Sequence, residues 1–141
     1  MYRELLVALD LSADSEAIAR RSLELAQGWG ARLRLLHVLA FMPIEPMNES
    51  LMPALRVDEQ LLAVMRERLA GLAVLIGVPP ERTQVVVGSV KSEILRVARE
   101  HQADLIVLGA RERHGLSLLV HRTEDTVLHG APCDVLAVRV R

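Results

Sequence analysis

The chain is poor in aromatic residues. Tyr2, Trp29 and Phe41 are the whole set, so any core must be built from Val, Leu, Ile and Ala. A single cysteine, Cys133, excludes an internal disulfide. Neither sign of charge dominates: 17 Lys and Arg against 18 Asp and Glu leave a net charge of −1. A balanced surface gives no general attraction to nucleic acid or to anionic membrane. No apolar run approaches the roughly 20 residues that cross a bilayer. The N-terminus enters a strand-like run with Arg3 and Glu4 inside it, not a secretion signal. The expectation is a cytoplasmic protein with no nucleic-acid or membrane partner, and 141 residues suit one domain, 1–141.

What is present is alternation. Leu5–Leu9 is a continuous apolar run, the mark of a strand covered on both faces. Ser12 or Asp14 can cap a following helix, whose positions Ile18, Ser22, Leu25 and Trp29 share a face; Gly28 and Gly30 mark its end. Leu33–Leu39 reads as a second strand. From Ala40 to about Leu55 periodicity fails. Pro43, Pro46 and Pro53 exclude a regular helix there, while Met42, Met47 and Met52 suggest a functional loop or a cover over part of the core. Val57–Ile76 predicts a helix with Leu61, Met65, Leu69, Leu72 and Ile76 aligned, ended by Gly77 and Pro79-Pro80.

Gln84–Val87 predicts a third strand, ending at Gly88. A helix begins at Ser89 or Ser92, with Ile94, Val97, Ala98 and His101 on one side. Leu105–Leu108 is the fourth strand, Leu116–His129 the fourth helix and Val135–Val140 the fifth strand. Strands and helices in strict turn imply an α/β fold: a doubly wound, five-stranded parallel sheet with helices on both faces and right-handed crossovers. Ligands bind such sheets beyond the carboxyl ends of the strands. Asp10, Leu39, Gly88 and Gly109 should gather there.

Catalytic and metal signals are missing from the pattern. His37, His101, His114, His121 and His129 show no short ligand spacing, and Cys133 lies four residues past His129, so no metal is expected. His37, inside a strand, reads as a hydrogen-bonded structural residue, and Cys133 as a small core residue. There is neither a nucleophile elbow nor a P-loop G-x-x-x-x-G-K-[ST], and no enzyme activity is expected. The run Arg111-Glu112-Arg113-His114 is either a solvated loop or a patch for a protein partner.

Four blocks together resemble the universal stress protein family across essentially the whole length. They are ELLVALDLSADSEAIA, RLRLLHVL, VVVGSVKSEILRVAREHQADLIVLGA and VLHGAPCDVLAVRVR, in that order. The resemblance implies strand order 3-2-1-4-5, a role in stress response or regulation, and dimers formed by pairing last strands. Some members of that family bind ATP through G-x-x-G, about nine residues, then G-[ST] after the fourth strand, where backbone N–H groups hold phosphate. By position Asp10 matches the first-strand Asp, Val38 the adenine-side Val, and Gly109 the first motif glycine, with Gly88 bordering the pocket.

The second motif glycine falls on Glu112, and the final pair on His121-Arg122 or on Arg122-Thr123. Glycine there gives backbone freedom and room for phosphate oxygens. A carboxylate near a triphosphate costs on the order of a kcal/mol even when screened. Arg111, Arg113 and Arg122 could offset part of this, because guanidinium groups match phosphate well. The expectation is therefore no cofactor, with ATP or AMP binding through a modified loop as the alternative. Asp10 has two open roles, a ligand contact or a cap on its own loop.

The last run has Val135, Ala137 and Arg139 on one face and Leu136, Val138 and Val140 on the other. An apolar edge strand needs cover. Homodimer pairing through Val135, Leu136, Ala137, Val138 and Val140 supplies it.

Overall fold

The computed structural model describes residues 1–40, 51–110, 127 and 129–140, with backbone alone for 51–58. Its elements are β1 (Glu4–Ala8), α1 (Ser15–Trp29), β2 (Arg32–Ala40), α2 (Leu51–Ile76), a single 3-10 turn (Pro80–Arg82), β3 (Thr83–Gly88), α3 (Val90–Glu100), β4 (Leu105–Ala110) and β5 (Asp134–Arg139). The five strands form one sheet in the order β3-β2-β1-β4-β5, parallel at every pairing. The expected fold class and strand order are what the chain adopts.

The apolar runs pack as period-2 geometry requires. Leu5, Val7, Leu33, Leu35, Leu105 and Val107 point to one side, where they meet Ile18, Ala19 and Ala26 of α1 and Leu69, Ala73 and Ile76 of α2. Leu6, Leu36, Val38, Ile106 and Leu108 point to the other side, against Ile94, Leu95, Val97 and Ala98 of α3 and against Val127. Burying both faces is why these strands read as unbroken hydrophobic runs. Val127, His129 and Gly130 are helical, and the rest of the predicted fourth helix lies outside the described residues.

Three local expectations need correction. First, α2 starts at Leu51, not Val57, and takes in Pro53. A proline in the first turn is tolerated because the first N–H groups of a helix have no acceptor within it. Of the predicted irregular stretch, Ala40 thus belongs to β2 and 51–55 to α2, and 41–50 lies outside the described residues. Second, the buried face of α1 is Ser15, Ile18, Ala19, Ser22 and Ala26, while Trp29 is 37% exposed. Trp29 lies against Tyr2 with ring centroids 4.8 Å apart. Third, no side chain at Ser12 or Asp14 caps α1: Asp14 holds the N-cap position without a capping side-chain bond. At the other end Gly30, with φ 65°, closes the helix in the left-handed conformation.

A charged cluster pins the amino ends of the strands. Glu4 is only 6% exposed, yet it carries a carboxylate. It pairs with Arg82 from the turn before β3 and, at 3.1 Å, with Arg32 at the start of β2. Arg82 also donates to the Leu33 carbonyl at 2.8 Å. Asp104 accepts the backbone N–H groups of Arg3 and Glu4 at 2.8 and 3.0 Å, tying the entrance of β4 to that of β1.

Candidate functional site

The opposite edge is where a ligand site would form. In the sheet register Ala8 lies between Leu36 and Leu108, Ala40 faces Gly88, and Gly109 faces Val138. The carboxyl ends of all five strands therefore share one edge. Strand order reverses between β1 and β4, which opens the crevice typical of doubly wound sheets. Asp10, Leu39, Gly88 and Gly109 all lie toward this edge, as topology predicts, and Val38 stands one residue before Leu39 on β2.

Asp10, Val38, Gly88 and Gly109 each have a structural employment. Asp10 is exposed. Its Oδ1 accepts the Ser12 N–H at 3.0 Å and the Ser15 hydroxyl at 3.3 Å. The first of these bonds is an Asx turn, in which a short carboxylate bonds two residues ahead within its own loop. Val38 is 9% exposed and sits in the second core cluster beside Leu36. Gly88 lies under α3, and a Cβ there would come within 2.8 Å of Glu93 Cγ. Gly109 lies under α1. A Cβ there would be driven into Ile18 Cδ1, far inside van der Waals contact, and would come within 3.3 Å of Cγ1. Glu112, Arg122 and Thr123, and the 111–114 run, lie outside the described residues.

Two features of this edge were not legible in the sequence as site features. His37, 7% exposed, has Nδ1 2.7 Å from the Leu9 carbonyl. A carbonyl only accepts, so Nδ1 carries the proton, and the ring braces the exit of β1 in the structural role expected of it. Leu11 has φ 58° and is 5% exposed, and its carbonyl accepts Arg68 Nη2 of α2 at 2.7 Å. Nothing local in the sequence signals that contact, because its partners are 57 residues apart. A cavity of about 190 Å³ lies beside it, lined by Leu11, Ser12, Ala13, Ser15, Glu16, Arg68 and Leu72.

Among the described residues no group of three or more His, Cys, Asp or Glu side chains could hold a metal ion, and no helix is long and apolar enough to cross a membrane. Burial, with the nearby Asp104 and Asp134 charges, pushes the Cys133 thiol above its ordinary pKa. It stays a thiol at neutral pH and is a poor nucleophile.

Sheet order, crossover pattern and crevice define an open, doubly wound α/β protein. The chain belongs to the universal stress protein family, whose family model matches residues 1–139. It is 33% identical over 141 residues to universal stress protein A homolog 2 of Coxiella burnetii, covering 99% of this chain and 97% of that protein. Among solved structures it is similar to the universal stress protein UspA from Lactobacillus plantarum, at 25% identity and TM-score 0.70, covering 98% of each chain. It also shares its fold with a universal stress protein in complex with cAMP, at 20% identity and TM-score 0.62, covering 98% of this chain and 97% of that one.

Proposed function

We propose that this chain is a non-catalytic, cytoplasmic regulatory member of its family, acting as a homodimer and not using ATP as a ligand. The single observation that carries this is the environment of Gly109. The one phosphate-motif glycine that survives is occupied from above by Ile18, so packing of α1 on β4 accounts for it without a nucleotide. Two further points support the same reading. Glu112 stands where the next motif glycine would be, and Asp10 spends Oδ1 on its own loop.

Dimerisation is supported by the position of β5 at the end of the sheet, hydrogen-bonded to β4 on one side. Leu136, Val138 and Val140 pack into one core cluster and Val135 into the other. Pairing of two β5 strands would therefore run through backbone groups, with Ala137 exposed at the seam.

Calorimetric titration with Mg-ATP tests the first part, and the expected result is no heat of binding at concentrations well above micromolar. Micromolar affinity would instead establish the alternative, a nucleotide-dependent switch built on Asp10, Val38, Gly88 and the 109–123 loop. Sedimentation at micromolar protein tests the second part: a dimer is expected, and a monomer contradicts pairing through β5.

A further inference from the structure

Leu11 is an odd residue to find in the left-handed region. Its φ of 58° is a conformation L side chains with a Cβ adopt reluctantly, and glycine or asparagine is the usual occupant. Two things hold it there. The Leu11 side chain is buried in the cluster shared by α1 and α2. Its carbonyl receives the Arg68 guanidinium at 2.7 Å. The bonds on either side are local: Ser12 N–H to Asp10, the Asp14 N–H to the Ser12 hydroxyl at 3.4 Å, and the Ser15 N–H to the Ser12 carbonyl at 3.1 Å. The Arg68 bond reaches Leu11 from α2, as the His37 ring and the Leu36 carbonyl reach Leu9 from β2.

We infer that Arg68 is a positioning residue, a latch by which α2 holds Leu11 left-handed and so sets where Asp10 and Ser12 stand at the carboxyl edge of the sheet. The adjacent cavity of about 190 Å³ is what makes it a latch and not merely a brace. Its lining, which includes Ser12, Ala13, Ser15, Glu16 and Arg68 itself, gives the guanidinium room to swing away and the stretch after Leu11 room to relax. The Asp10 loop is thereby coupled to α2, an element on which Arg68 is itself exposed. This holds whether or not the edge takes a nucleotide.

Amide hydrogen exchange on the unliganded protein reads the latch directly. The reporters are Ser12 and Ser15, with the Val7 and Val107 amides of the same variant as a separate gauge of general stability. Arg68→Met is expected to speed exchange at Ser12 and Ser15 by about tenfold. In a Leu11→Gly background the same substitution is expected to change it by less than about threefold, because glycine holds the left-handed conformation unaided. Unchanged exchange in Arg68→Met overturns the inference. So does an equal acceleration in both backgrounds, which would make the Arg68 bond an ordinary surface contact.

Discussion

Replacing Gly109 by alanine separates packing from ligand binding as the reason for that glycine. The added Cβ would be forced into Ile18 Cδ1 and would lie 3.3 Å from Cγ1. Rotation of the Ile18 side chain could move Cδ1, but Ile18 is 4% exposed, so turning it only passes the clash to its core neighbours. Overpacking a core position costs about 1–3 kcal/mol. Replacing glycine by alanine in a strand returns about 0.4–1 kcal/mol through the unfolded chain. The net expectation for Gly109→Ala is a loss of about 1–2 kcal/mol, or about 3–6 °C in Tm for a domain of this size.

The control lies in the same pair. Ile18→Val removes Cδ1, the offending atom, and alone costs about 0.5–1.5 kcal/mol. In the double variant the alanine methyl fills the vacated space. The combined loss should then fall short of the sum of the single losses by about 1 kcal/mol or more, well outside the roughly 0.3–0.5 kcal/mol of ordinary non-additivity. Urea unfolding of the four ligand-free proteins supplies the cycle. An unchanged midpoint for Gly109→Ala, or strict additivity, would refute the packing account and return Gly109 to a ligand.

Two further perturbations probe the ends of the strands. Arg82→Met leaves the Glu4 carboxylate, 6% exposed, with the largely exposed Arg32 as its remaining ion-pair partner, and should cost about 3 kcal/mol in urea unfolding. Adding Glu4→Leu should recover at least half of that; no recovery would mean that the buried charge was not the source of the loss. Tyr2 hydrogen-bonds Asp134 Oδ2 at 2.7 Å, and this bond, followed by burial and the Asp134 charge, raises its pKa above 10.0. The folded state thus favours the neutral phenol, so its contribution is whole below pH 10 and is lost as pH rises through the folded value. The stability difference between wild type and Tyr2→Phe should stay level up to about pH 10 and shrink above it. A difference that does not move across the alkaline range would sink this assignment.

The sequence by itself determined the fold. Unbroken apolar runs such as Leu5–Leu9 and Leu105–Leu108 can be satisfied only by burial on both faces, and their alternation with helical periodicity leaves a parallel, doubly wound sheet. The same logic placed Asp10, Gly88 and Gly109 toward one edge, because topology alone puts strand ends together. Tertiary structure decided which contacts those residues make there. The contact of Gly109 with Ile18 joins residues on different elements, as do the reach of Arg68 to Leu11 and the pairing of Arg82 with a buried Glu4. Local periodicity carries no trace of such partners. Pro53 shows the same limit in a single residue: proline forbids a helix interior but not a first turn, and only the position of the helix start says which rule applies.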